Sequence, residues 1–305
     1  MKTLFVGAGA TGGYFGGELA ATGRDVTFLV RPARAAQLAE RGLRIRTPEG
    51  ETVVRPRLVT ADALDETYDL IVLAVKAYAL EQAMSDLAPA VGERSVIVPL
   101  LNGMRHVDTL VGRFGAERVY GGVCMIAGTL TPEGDIVRMT GMQRIGFGPL
   151  DGADDRLDSV AEALSGADFA ADPSTTIMQD MWEKWVLLAS LGVVTTLMRA
   201  TVADILEAPG GSAFAMGVAD EAVAIATAAG YPPGEGAVEL LREGIGTPGV
   251  PRTSSMYRDM VAGLPVEADE IVGDFVGYAA KNGVPAPLFG AAYTNLAIYA
   301  ANRLA

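Results

Sequence analysis

Six residues near the start of the chain, Gly7-Ala8-Gly9-Ala10-Thr11-Gly12, restrict the fold more than any other stretch. A short apolar run, Lys2 to Val6, precedes them, and Gly13-Tyr14-Phe15-Gly16-Gly17-Glu18-Leu19-Ala20 follows at once. A second apolar run, Asp25 to Val30, ends at Arg31. Strand, glycine turn, helix, strand is one βαβ unit, and G-x-G-x-x-G in its first turn is the dinucleotide-binding pattern. The glycines have separate tasks. Gly7 lets the chain turn off the strand, Gly9 lets the backbone approach a pyrophosphate, and Gly12 lets the helix pack near the strand. The turn as a whole, with Ala8, Ala10 and Thr11 between the glycines, is the candidate cofactor cradle. The helix that follows offers free N–H groups and a partial positive charge to phosphates.

Arg31 bears on which dinucleotide. NAD-binding units carry an acid at the end of the second strand, where it holds the ribose 2′-hydroxyl. Here the position is Arg31, with Arg34 close behind and no acid beside them. A guanidinium binds a 2′-phosphate bidentately, whereas a carboxylate repels it. The expected cofactor is NADPH.

Composition narrows the setting. The formal net charge is −13, which disfavours nucleic acid as a partner. One cysteine, Cys124, excludes an intrachain disulfide, and with a single histidine, His106, no metal site is expected. No unbroken apolar run approaches the length of a membrane span, and the N-terminus reads as strand rather than signal peptide. A cytoplasmic location is expected.

Along the chain, residues 33–42 read as a short helix closed by Gly42. Leu43–Thr47 and Thr52–Leu58 read as a hairpin about Pro48-Glu49-Gly50-Glu51. Tyr68 to Val75 is a strongly apolar run, consistent with a buried parallel strand. A helix over about 79–90 and a strand Ser95–Leu100 follow. Lys76 and Asn102 therefore lie just past strand ends, as Gly7 does, where ligands sit in parallel sheets. Lys76 is a candidate partner for cofactor anions, and Asn102 a candidate hydrogen-bonding partner for ribose or substrate. Short strands over Gly121–Ile126, Asp135–Met139 and Arg144–Phe147 suggest an antiparallel extension of the same sheet. A helix over 153–165 closes this half, and Cys124 reads as core.

Beyond Asp172-Pro173-Ser174 the pattern is helical. A long helix is expected from Ile177 to about Met198, with Thr201 capping the next. Others fall near 212–229, 234–244, 254–262, 266–282 and 286–303. The fold class is thus α/β: a Rossmann-type dinucleotide-binding domain, residues 1–172, followed by an all-helical domain, residues 173–305. The helical half is apolar enough to support a homodimer.

A hydride from a nicotinamide needs a proton donor to accompany it. Lys184, in Trp182-Glu183-Lys184-Trp185, lies on a helix that turns almost wholly apolar afterwards. Desolvation lowers a lysine pKa, which suits a general acid. A lysine snorkelling to the helix surface is the plainer reading. His106 is the rival acid, since imidazole titrates near neutrality.

The chain resembles the ketopantoate reductase family over its full length. The resemblance rests on Gly7–Gly12 with Arg31, Val75-Lys76-Ala77, Leu101-Asn102-Gly103-Met104, Trp182-Glu183-Lys184, and Thr253-Ser254-Ser255-Met256 followed by Glu267-x-Asp269. It implies a Rossmann-type domain and a helical domain with the active site in the cleft between them. It implies NADPH-dependent reduction of 2-dehydropantoate (ketopantoate) to pantoate, a step of pantothenate biosynthesis. Lys184 takes the place of the family's catalytic lysine and Glu267 that of its active-site glutamate. Ser255 matches a substrate-binding serine, and Asn102 an asparagine near nicotinamide and substrate.

Three positions depart from the family. Asparagines four and eight residues after the lysine are replaced by Leu188 and Gly192, and another before the Ser-Ser-Met segment by Arg252. Lost amides remove bonds that a polar substrate needs, so specificity is expected to relax or change. Arg252 is a candidate for binding the substrate carboxylate directly. Three alternatives stay open: a reductase of a different, less polar 2-keto acid, an NADPH-binding protein that turns nothing over, and a different reductase or dehydrogenase on the same architecture acting on an amino or sugar acid.

Overall fold

The computed structural model describes residues 1–304. They form two compact units: residues 1–101 with 106–178, and residues 102–105 with 179 onward.

The first unit begins with β1 (Thr3–Val6), α1 (Ala10–Ala21), β2 (Val26–Leu29) and α2 (Pro32–Arg41). Next come β3 (Leu43–Thr47), β4 (Gly50–Val54), β5 (Arg57–Val59), β6 (Tyr68–Leu73) and α3 (Leu80–Leu87). β7 (Val91–Pro99), α4 (Arg105–Phe114), β8 (Tyr120–Leu130), β9 (Ile136–Pro149), α5 (Leu157–Leu164) and β10 (Ala170–Pro173) complete it. The main sheet has the order β5-β2-β1-β6-β7 and is parallel throughout.

Its strands alternate between two cores. Phe5, Phe28, Leu70, Val72, Val96 and Val98 pack on one side with Phe15 and Leu19 of α1. Leu4, Val6, Leu29, Ile71, Leu73 and Ile97 pack on the other with Met84 and Leu87 of α3 and Leu110 of α4. A strand buried on both faces has no polar alternation, which is why β6 is apolar almost throughout.

Two expectations need correction. The expected hairpin strand 52–58 divides at Pro56. Gly50–Val54 pairs with β3, while Arg57–Val59 joins β2 in the main sheet. Proline lacks the N–H a ladder needs, and the break falls there. Nor do residues 119–148 extend the main sheet. β8 and β9 are two long antiparallel strands of a second sheet, in the order β10-β9-β3-β4 with β8 paired to β9.

α1 packs against both sheets because its surface is cut back. A Cβ at Gly16 would lie 2.6 Å from the Phe28 ring, and one at Gly17 2.7 Å from the Ile45 and Leu43 side chains. The price for glycine in a helix is about 1 kcal/mol each; here the burial of Phe5, Phe28 and Ile45, all fully enclosed, offsets it.

The helical elements are α6 (Ile177–Met198), α7 (Val202–Glu207), α8 (Gly211–Ala228), α9 (Glu235–Gly246), α10 (Ser255–Val261), α11 (Asp274–Lys281) and α12 (Pro287–Leu304). A π-helical turn, Asp269–Gly273, leads into α11. Thr201 caps α7 in a capping box with Asp204, as its position before the helix predicts. The Glu221 carboxylate accepts from the Leu288 and Phe289 N–H groups and so caps α12. Among the described residues, one helix, Ile177–Met198, is long and apolar enough to cross a membrane, but 67% of its apolar window is buried inside the protein. It is a core helix. Trp182 stacks on Tyr231 at 5.1 Å, Trp185 meets Phe275 edge-on at 4.5 Å, and Phe275 stacks on Phe289. This aromatic cluster fixes the roll of α6, and with it the direction in which Lys184 leaves the helix.

Candidate functional site

In the first unit, strand order reverses between β1 and β6, the place where open parallel sheets take ligands. Gly7 follows β1 and Lys76 follows β6 on that edge. Gly7 has φ +97°, which only glycine adopts easily, and a Cβ there would lie 2.8 Å from the Ala74 carbonyl oxygen. A Cβ at Gly12 would collide with the Gly7 carbonyl and the Ala74 methyl. At Gly9 the case is opposite: no protein atom lies within 4 Å of an added Cβ. The protein itself does not need glycine there, so the open space is what an approaching ligand would use. The first turn of α1 has no side-chain cap and no acidic residue. An uncapped helix start beside an open glycine fits a dinucleotide pyrophosphate.

The two arginines behind β2 separate. Arg31 is exposed at the N-cap of α2. Arg34 is half-buried and donates from Nε and Nη2 to the Ala8 carbonyl, at 3.2 and 3.0 Å. Burial lowers its pKa below the usual arginine range, with Asp135 opposing. Lys76 is exposed, and its carbonyl accepts from Ala79 N–H to start a short 3-10 turn.

In the second unit, Lys184 is half-buried and donates from Nζ to Asn102 Oδ1 at 3.2 Å. Asn102 belongs to this unit although it lies three residues past the end of β7. Gly103 explains the seating. Its φ is +79°, and a Cβ there would lie 2.5 Å from the Glu270 carbonyl oxygen in the π-helical turn. The Arg105 guanidinium pairs with Asp274 at the start of α11. Trp185 Nε1 donates to the Ile271 carbonyl of the same turn at 3.0 Å. One turn of chain thus ties the Asn102 loop and α6 together. Glu267, two residues before that turn, is only 6% exposed. Burial raises the pKa of Glu270, with the Glu267 and Asp269 charges adding to the effect.

The Ser254-Ser255-Met256 segment divides its roles. Ser254 is buried, caps α10 by accepting from Tyr257 N–H at 2.9 Å, and lies 2.8 Å from the Thr195 hydroxyl. Ser255 is exposed at the first position of α10. Met256 fills the space that Gly192 leaves on α6: a Cβ on Gly192 would lie 2.7 Å from the Met256 methyl. Leu188 lies on the same face of α6, four residues after Lys184. Arg252 is exposed, and its Nη1 donates to the Gly244 carbonyl at 2.8 Å and the Glu243 carbonyl at 3.3 Å, near the end of α9. His106 is buried on α4, 3% exposed. Cys124 is buried, with Sγ 3.6 Å from the Leu100 carbonyl, as a core residue should be. Among the described residues no cluster of His, Cys, Asp and Glu has metal-binding form.

Three features gave no sequence signal. They are the Arg34 grip on Ala8, the Arg105–Asp274 pair, and the Met256 methyl against Gly192. Each joins residues distant in sequence through side-chain placement that no local spacing encodes.

Comparison with known proteins bears directly on this geometry. Residues 3–152 match the family described as ketopantoate reductase PanE/ApbA, and residues 176–300 match its C-terminal counterpart. The chain belongs to the ketopantoate reductase family. Over 99% of its length it is 34% identical to the oxidoreductase YkpB of Bacillus subtilis (strain 168), of which the match covers 100%. It is 30% identical to the 2-dehydropantoate 2-reductase of Mesorhizobium japonicum, with 89% of each chain covered. The solved 2-dehydropantoate 2-reductase of Geobacter metallireducens superposes with a TM-score of 0.87 at 26% identity, covering 97% of this chain and 99% of that one. The protein is an oxidoreductase of the ketopantoate reductase type, and the family acts on small keto acids.

Proposed function

We propose that the protein reduces a 2-keto acid with NADPH, and that its reaction is the conversion of 2-dehydropantoate to pantoate, which serves pantothenate biosynthesis in the cytoplasm. The observation that carries this reading is the Lys184–Asn102 hydrogen bond, with Glu267 enclosed in the same unit. The names of the relatives add support.

When bound, the nicotinamide supplies a hydride to the keto carbon. The residues do the rest. Lys184 Nζ holds the carbonyl oxygen and passes it a proton as the alkoxide forms. Asn102 accepts one Lys184 hydrogen and so aims the others. Glu267 orients Lys184 or holds a substrate hydroxyl. The exposed Ser255 hydroxyl receives the substrate carboxylate. Arg252 assists from those donors of its guanidinium that α9 does not use. Gly7 to Gly12 hold the pyrophosphate, Arg31 the 2′-phosphate, and Lys76 a further cofactor anion.

A second reading has its own observation. The Lys184 face of α6 continues with Leu188 and with Gly192 closed over by Met256, where amides would serve a hydroxylated substrate. That apolar wall favours a less polar 2-keto acid on the same machinery. Steady-state rates with NADPH on ketopantoate and 2-ketoisovalerate separate the two. A thousandfold preference for ketopantoate defeats the second. Failure to oxidise NADPH with any 2-keto acid in a broad panel defeats both.

A further inference from the structure

The face of α2 that carries Arg34, Gln37 and Arg41 is spaced i, i+3, i+7, so the three side chains form one row. Two of them fasten the helix to the turn between β8 and β9. Gln37 Nε2 and Arg41 Nη1 each donate to the Glu133 carbonyl at 2.6 Å, and Arg41 pairs with the buried Asp135 at 3.2 Å. Arg46 from β3 reaches the same carboxylate at 2.7 Å. The third, Arg34, is hydrogen-bonded to Gln37 and passes beneath Gly134, where a Cβ would collide with its Nη1. From this held position its Nε and Nη2 fork onto the Ala8 carbonyl.

That carbonyl belongs to the peptide between Ala8 and Gly9. Among the described residues no peptide bond is cis, so the Gly9 N–H points opposite to the Ala8 oxygen. Gly9 has no side chain and open space beside it, which leaves the backbone on that side of the peptide wide freedom. The guanidinium fork is the side-chain contact that holds the Ala8 oxygen.

We infer that Arg34 is a positioning residue for the cofactor: by gripping the Ala8 carbonyl it holds the Ala8–Gly9 peptide in one orientation, making the Gly9 N–H a fixed donor for a pyrophosphate, and it takes no part in choosing between NADPH and NADH. This rests on the reading of Gly7–Gly12 as a dinucleotide cradle, but not on the preference for NADPH. A pyrophosphate is common to both dinucleotides, so loss of the grip weakens both alike. Arg31 is exposed and is assigned to the 2′-phosphate, so its loss weakens one.

Calorimetric titration of wild type, Arg34→Gln, Arg34→Lys and Arg31→Gln with NADPH and with NADH tests this. Thermal melting accompanies it. Arg34→Gln should raise both dissociation constants by the same factor, roughly tenfold for a charge-assisted bond. Arg34→Lys, with one donor in place of the fork, should fall between. Arg31→Gln should raise only the NADPH constant. A tenfold change in the NADPH-to-NADH ratio in Arg34→Gln would make Arg34 a phosphate ligand and overturn the inference. So would unchanged affinities. A wild type that prefers NADH removes the NADPH reading alone, because the Arg34 comparison is then read on NADH. A wild type that binds neither dinucleotide removes the cradle and this inference with it.

Discussion

Lys184 Nζ stands 3.2 Å from Asn102 Oδ1, joining residues 82 positions apart. The amide oxygen takes one ammonium hydrogen and so directs the remaining two. If this pair is the proton-donating centre, Lys184→Ala should lower kcat by ~10²–10⁴ with little change in melting temperature. Asn102→Ala should lose less, about tenfold, because the amine survives unaimed. His106→Ala should act on stability instead, since that ring is enclosed in the first unit. Steady-state kinetics beside melting curves distinguish these. Lys184→Ala with near-normal turnover, together with an inactive but stable His106→Ala, would reverse the assignment.

The cradle glycines differ in what they protect. Gly9→Ala meets no protein atom and has a negative φ, so stability should change by no more than about 0.5 kcal/mol. Its affinity for the dinucleotide should nonetheless fall sharply. Gly12→Ala drives a methyl into the Gly7 carbonyl and should cost ~1–3 kcal/mol of stability. Urea unfolding and cofactor titration of the two variants give the comparison. Equal destabilisation by both would contradict it.

Leu188→Asn restores an amide on the Lys184 face of α6. It should improve kcat/KM for a hydroxylated 2-keto acid relative to an alkyl one, by roughly tenfold or more. Gly192→Asn should not do so by itself, because the Met256 methyl occupies the space. Paired with Met256→Ala it gains room. The ratio of kcat/KM on ketopantoate and 2-ketoisovalerate is the readout, and a ratio unmoved by Leu188→Asn would count against this wall as part of the site.

Acid stability has a local contributor in the first unit. Asp154 accepts from the Arg156 side chain at 2.9 Å and from its backbone N–H at 2.8 Å. The Arg156 hydrogen bonds, opposed by burial, draw its pKa from 3.8 down to about 2. A carboxyl with a depressed folded pKa stabilises the fold above its unfolded value and loses that contribution as pH falls through the folded one. Asp154→Asn should therefore melt below wild type at pH 7, with the gap closing between pH 3.8 and about 2. Melting curves across that range check it; a gap that persists at the acid end would exclude the carboxylate as its source.

Much of the architecture could be read from local pattern. β1, β6 and α6 are mostly apolar segments of characteristic length, and Thr201 marks its helix start by chemistry alone. What failed was pairing. Nothing in residues 119–148 says which sheet their strands join, because strand pairing depends on distant partners such as β3. The same limit applied at the site. Lys184 and Asn102 were each visible as residue types in suggestive places. The contact between them, the Gly103 approach to Glu270 and the Arg34 grip were not, since each depends on the packed fold.

Residues 102–105 sit with the helical unit while the chain on either side of them sits with the other. The polypeptide therefore passes between units three times, at 101/102, 105/106 and 178/179. A fragment beginning at residue 173 would lack Asn102, Gly103 and Arg105, leaving Lys184 and Asp274 without these partners. Chimaeras that trade halves between relatives at one junction would mismatch the same four-residue segment, so a working exchange must carry it across separately.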